Sequence, residues 1–133
     1  MSVEAKRELD SGRPIKAKKI YQDILSICQK PYCDMIELRL ARIYYKNNEF
    51  DLAKSTLNKI EDNSYQDLKN ILLGDILSKQ GKLEDAQKIW LETYQLINIE
   101  ESPEKVGIKS QLTYRLQKVY EIQQQKDSDN RPT

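Results

Sequence analysis

LRLARIYYKNNEFDLAKSTLNKI (Leu38–Ile60) and ILLGDILSKQGKLEDAQKIWLET (Ile71–Thr93) are one pattern written twice. At an offset of 33 residues Leu40 falls on Leu73, Ala41 on Gly74, Tyr44 on Leu77 and Asn48 on Gly81. Phe50 falls on Leu83, Ala53 on Ala86, Leu57 on Trp90 and Ile60 on Thr93. Large side chains meet large ones and small meet small. A period in the low thirties with two helical patterns per unit marks a stacked helical repeat, in which each unit is a hairpin that cannot bury its apolar stripe alone.

A third, degraded copy precedes these two. At an offset of 36, Ala17, Tyr21 and Ile24 fall on Ala53, Leu57 and Ile60, and Ala5 and Gly12 fall on Ala41 and Asn48. Glu4 and Glu8 stand where Leu40 and Tyr44 would be, as befits a terminal unit with a wet outer face. The small positions Ala41, Gly74, Ala53 and Ala86 let two helices cross closely. Tyr21, Leu57 and Trp90 are the knobs that fill the space between units.

Periodicity predicts helices over 2–10, 14–29, 33–46, 49–61, 65–80, 83–97 and 103–124. Inward positions are Ala17, Ile20, Tyr21, Ile24 and Cys28, then Ile36, Leu40, Ile43 and Tyr44. They continue with Leu83, Ala86, Ile89, Trp90 and Tyr94, then Val106, Ile108, Leu112, Leu116, Val119 and Tyr120. Pro31 ends one helix, and Asp34 starts the next. Asn47-Asn48 and Gly81 make the turns, with Asn tolerant of positive φ. Ser102 and Pro103 open the last helix. The expected architecture is all-α: about two and a half hairpins plus a capping helix in one domain, 1–124. It comprises a degenerate repeat at 2–29, repeats at 33–61 and 65–97, a cap at 103–124 and a disordered polar tail at 125–133.

Composition excludes more than it identifies. Charged residues make up 32 % of the chain and nearly cancel, to a formal +1. A protein gripping nucleic acid by phosphate neutralisation is more basic, so no nucleic-acid partner is expected; Lys16-Ala17-Lys18-Lys19 reads as a solvated helix face. Histidine is absent, which removes the commonest general base and metal ligand. No nucleophile–base pair, glycine-rich phosphate loop or metal cluster stands out. The chain is read as no enzyme, with no catalytic residue, metal or cofactor. No apolar run reaches the ~18 residues of a membrane span, so no direct membrane insertion is expected. Cys28 and Cys33 match no common zinc or redox spacing and are read as reduced, partly buried thiols. The alternative is a disulfide across the Pro31 corner in an oxidising compartment.

The pattern LLGDILSKQGKLEDAQKIW, with Gly74, Gly81, Ala86 and Trp90, resembles the tetratricopeptide repeat. The likeness covers residues 33–97 well and 2–29 weakly, and it implies a right-handed solenoid of helical hairpins. Departures are the missing prolines at the unit ends and a period of 33. The resemblance implies peptide or protein binding in a groove lined by the first helix of each unit. Arg39, Arg42, Tyr45, Lys46, Asp75, Ser78 and Lys79 are the outward residues there. Arg42, Tyr45 and Lys46 form a basic–aromatic cluster able to grip a carboxylate or an aromatic segment. Positions that form a chaperone-tail clamp in some members hold Leu38, Arg42 and Leu72 here, so a heat-shock C-terminal peptide is not the expected ligand.

More narrowly, residues 33–116 resemble the bacterial ancillary subunit of the Sec translocon. That family carries an N-terminal membrane helix and an extracytoplasmic repeat domain, and is thought to hand secreted chains to periplasmic chaperones. The function expected is therefore a non-catalytic adaptor linked to secretion or chaperone handover. The alternative is a scaffold subunit that self-associates as a homo-oligomer through its terminal repeat and exposed tyrosines. As written the chain is expected in the cytoplasm; behind an N-terminal anchor it would sit on the periplasmic side of the inner membrane.

Overall fold

The computed structural model describes residues 14–30 and 32–129. Among these residues there are six α-helices and no strand. They are α1 (Pro14–Leu25), α2 (Tyr32–Lys46), α3 (Phe50–Leu57), α4 (Gln66–Lys79), α5 (Leu83–Leu96) and α6 (Val106–Asp129). Single 3-10 turns at Asn63–Tyr65 and Pro103–Lys105 lead into α4 and α6. The helix expected over 2–10, with Ala5 and Gly12, lies outside the described residues, as does Pro31. The chain divides into two compact units, residues 1–69 and 70–133.

In the first unit α1 packs on α2, and α2 on α3. The interior is made by Ala17, Tyr21 and Ile24 of α1, Ile36, Leu40, Ala41, Ile43 and Tyr44 of α2, and Ala53 and Leu57 of α3, all buried. Ile20 and Cys28, read as inward, are only half-buried. Helix α1 stops four residues short of the expected end. Ser26 and Ile27 donate their N–H groups to carbonyls three residues back, and the Ser26 hydroxyl donates to the Asp23 carbonyl at 2.6 Å. Such tight bonds close a helix. Helix α3 ends early in the same way, with Lys59 and Ile60 bonded to Thr56 and Leu57.

The corner after α1 brings the Cα atoms of Cys28 and Cys33 to 5.6 Å, within disulfide reach, and the two are bonded. The reading as reduced thiols is thereby corrected: a helix continuing to residue 29 would have kept the corner too short, but the early stop folds it back.

In the second unit α5 packs against α6. Ile71, Ala86, Trp90, Ile97, Leu112 and Val119 form one buried cluster. Gly74 faces the indole of Trp90 so closely that a Cβ there would sit 2.7 Å from Cδ1, and Trp90 Nε1 donates to the Ile71 carbonyl at 3.1 Å. The knob thus fills its own hairpin. Val106 and Tyr120, read as inward, are 57 % and 61 % exposed. Helix α6 runs to Asp129, past the expected end at 124, because Gln123 to Lys126 are good helix formers with no Gly or Pro among them. Gln123 also donates to Gln87 of α5 at 3.0 Å.

The same turn closes α2 and α4. Asn48 has φ 62° and Gly81 φ 82°. The N–H of Asn48 donates to Tyr45 and that of Glu49 to Tyr44; the N–H of Gly81 donates to Ser78 and that of Lys82 to Leu77. This is the double-bonded left-handed C-cap, and it satisfies carbonyls the helix would leave open.

Candidate functional site

The residues read as a binding face lie on α2 and α4. On α2, Arg42 and Lys46 are exposed, and Arg39 and Tyr45 are half-buried. Their placement follows from the buried stripe on the same helix, which turns the 39/42/46 edge outward. This edge carries three cations, Arg39, Arg42 and Lys46, and no acid occurs between Glu37 and Glu49. Tyr45 leans on Phe50 at the start of α3, with ring centroids 6.4 Å apart and planes tilted by 54°. The clamp positions Leu38 and Leu72 are buried, so neither is free to hold a terminal carboxylate.

On α4, Lys79 is exposed and Ser78 half-buried. Asp75 is different. Arg115 of α6 donates to it from Nε at 2.7 Å and Nη2 at 2.9 Å. This two-pronged pair is the geometry in which guanidinium and carboxylate bind best. Asp75 therefore fastens α4 to α6, and sequence alone offers no signal for this, since its partner lies 40 residues away.

Missed by the sequence reading is Asp34, expected only to start a helix. It is buried, 1 % exposed. Its carboxylate accepts from Lys30 Nζ at 3.0 Å and from the N–H groups of Asp62 at 2.9 Å and Glu61 at 3.3 Å. Lys30 also donates to the Lys59 carbonyl at 3.1 Å and lies 3.6 Å from the Glu61 carboxylate. Burial pushes the Asp34 carboxyl up, but the Asp62 N–H, Lys30 and the Glu61 N–H outweigh it and hold it below the usual range. Lys30 is raised, chiefly by its hydrogen bond to Asp34. One turn along α2, Glu37 is raised by burial, with Lys59 and Lys30 opposing and Asp34 adding. Its Oε2 finds no donor among the described residues.

Two shallow clefts of about 310 Å³ each open in the second unit. One is lined by Gly81 to Asp85 and Lys126, the other by Tyr94, Thr113, Leu116, Gln117 and Tyr120. Neither brings a nucleophile to a base. Among the described residues no cluster of His, Cys, Asp and Glu has the makings of a metal site, and no helix is long and apolar enough to cross a membrane.

Comparison with known proteins agrees with this geometry. No curated protein sequence matches the chain. The crystal structure of the Yersinia enterocolitica type III secretion translocator chaperone SycD, in an alternative dimer, superposes with a TM-score of 0.72 at 16 % identity. The match covers 92 % of this chain and 90 % of that one, and it shows a shared fold. The tetratricopeptide repeat-like domain family matches residues 3–121. With the duplicated hairpin pattern, the paired left-handed caps and the small-on-large packing of Gly74 and Trp90, the chain belongs to the tetratricopeptide repeat-like domain family.

Proposed function

We propose that the chain is a non-catalytic adaptor that binds an acidic, aromatic-bearing segment of another protein along the outer edge of α2. The observation that carries this reading is the row Arg39, Arg42 and Lys46 beside Tyr45, on a helix whose opposite face is buried. Arginine offers a planar fork to carboxylates, and tyrosine a rigid contact surface. The ligand is an internal segment and not a C-terminal carboxylate, because two of the three clamp positions, Leu38 and Leu72, are buried leucines. Ser78 and Lys79 on α4 are a further contact region of the same polar kind.

The work it does is proposed to be the passing of exported chains between translocon and chaperones. Two things support that: the resemblance of residues 33–116 to the ancillary Sec-translocon subunit, and a structural neighbour that is itself a secretion chaperone. The Cys28–Cys33 disulfide favours the periplasmic side over the cytoplasm, since such bonds persist in oxidising compartments. The test is a fluorescence titration with an acidic, tyrosine-rich peptide. The double variant Arg42→Glu, Lys46→Glu is expected to bind at least about tenfold more weakly, two lost charge-assisted contacts being worth that much. Equal binding by parent and variant overturns the reading.

A second reading, self-association, is favoured by one observation: Tyr114 and Tyr120 on α6 are 62 % and 61 % exposed. Sedimentation equilibrium of the parent and of Tyr114→Ser, Tyr120→Ser decides it. A dimer lost in the variant supports this reading, and a monomeric parent removes it.

A further inference from the structure

The corner between α1 and α2 holds two devices within seven residues. The first is the disulfide, which joins Cys28, just past the end of α1, to Cys33 in the first turn of α2. The second is Lys30, which lies inside the covalent ring made by that bond. From there it reaches out to Asp34, to the Lys59 carbonyl and to Glu61, while Asp34 holds the N–H groups of Glu61 and Asp62. The corner is thereby tied to the far end of the α2–α3 hairpin. Helix α1 is short, 12 residues, and too short to be stable alone. Its attachment rests on Ala17, Tyr21 and Ile24, on Gln22 donating to the Tyr44 hydroxyl at 3.2 Å and on Lys18 over the Tyr44 ring at 5.2 Å.

We propose that Cys28 and Cys33 are a disulfide-exchange site whose oxidation sets a latch, fastening α1 and the Lys30 corner onto the α2–α3 hairpin. Both cysteines are half-buried and within reach of a carrier. The reactant is a protein or small-molecule disulfide. Cys33 is the attacking thiol, because it stands in the first turn of α2, where the positive end of the helix dipole favours a thiolate, and the neighbouring Asp34 charge is already met by Lys30 and two backbone donors. The Cys33 thiolate bonds to one sulfur of the carrier, whose other sulfur leaves as a thiolate. Cys28 thiolate then attacks the Cys33 sulfur, closing the 28–33 bond and releasing the second carrier sulfur. Two electrons and two protons pass from the cysteine pair to the carrier, which ends as a dithiol. Closing so small a ring removes freedom from the open corner, and shifts the opening equilibrium of α1 by tens of fold. The latch does not depend on the proposed binding function or on the compartment.

Two measurements on the whole chain, with no partner present, test it. The fully reduced chain is treated with glutathione disulfide and weighed after denaturation. The expected product has lost two hydrogens and retains no glutathione; stable adducts or remaining free thiols overturn the exchange site. Of the single variants, Cys28→Ser, which keeps Cys33, is expected to react several-fold faster than Cys33→Ser; equal or reversed rates overturn Cys33 as the attacking thiol. Hydrogen exchange is then followed by mass spectrometry in oxidised parent, reduced parent and Cys28→Ser, Cys33→Ser. Amides of α1 are expected to exchange tens of fold faster in the last two samples, with α4 and α5 unchanged. Equal α1 exchange in all three, or an equal acceleration in α5, overturns the latch.

Discussion

Trp90 is where residue-scale chemistry decides most. Its ring fills the space Gly74 leaves, and its N–H is bonded to Ile71. Trp90→Ala is expected to cost about 3–5 kcal/mol in urea unfolding, and Gly74→Ala about 1–3 kcal/mol by overpacking against the indole. A parent-like midpoint for either would contradict this packing. Asp34 makes a second residue-scale case. Asp34→Ala leaves two backbone donors without an acceptor and is expected to cost about 2–3 kcal/mol. Its carboxyl is held below the usual range, so its contribution is present above the unfolded-state pKa and is lost as pH falls through the lower folded value. The difference between parent and Asp34→Ala should therefore shrink on acidification below about pH 4. Glu37 has the opposite sign. Raised by burial, it favours the fold while protonated and costs stability as pH rises through its folded value. Glu37→Gln is expected to raise the melting temperature at pH 7 and to lose that advantage near pH 4. A fall in melting temperature at pH 7 would contradict the burial argument.

At the scale of elements, the helix ends carry the lesson. Asn48 and Gly81 fall at the same place in the two copies and adopt the same left-handed cap. Gly81→Ala is expected to cost about 1–2 kcal/mol for a Cβ at positive φ, measured by thermal melts; no loss would mean that the turn rearranges. These caps were legible in sequence because Asn and Gly are the residues such a turn needs. The inward stripes of α1, α2 and α5 were legible for the related reason that burial follows helical period. The ends of α1 and α3 were not, since a hydroxyl and a few three-residue-back bonds stop them and no Gly or Pro announces the stop. The disulfide stood as the alternative reading of Cys28 and Cys33, whereas the partners of Asp34 and the Arg115–Asp75 pair escaped. Each depends on which distant residues a fold brings together, and a carboxylate on a helix looks the same in sequence whether it meets water, an arginine or two backbone N–H groups. Val106 and Tyr120 were misjudged because α6 meets neighbours on a narrower face than its apolar residues span.

On the scale of the whole molecule, a tetratricopeptide-type chain is a way of presenting helix edges, and the account stands or falls on which edge is used. The net charge is +1, and the two clefts described in the second unit are shallow. What distinguishes α2 is an edge that places Arg39, Arg42 and Lys46 beside Tyr45. The most direct test is site-specific photo-crosslinking. A benzophenone side chain is placed singly at Arg42, at Lys46, and at the exposed controls Leu52 on α3 and Leu91 on α5. Each variant is irradiated with the acidic, tyrosine-rich peptide. The account predicts adducts at 42 and 46 and none at 52 or 91. Adducts at the controls with none on α2 would contradict it.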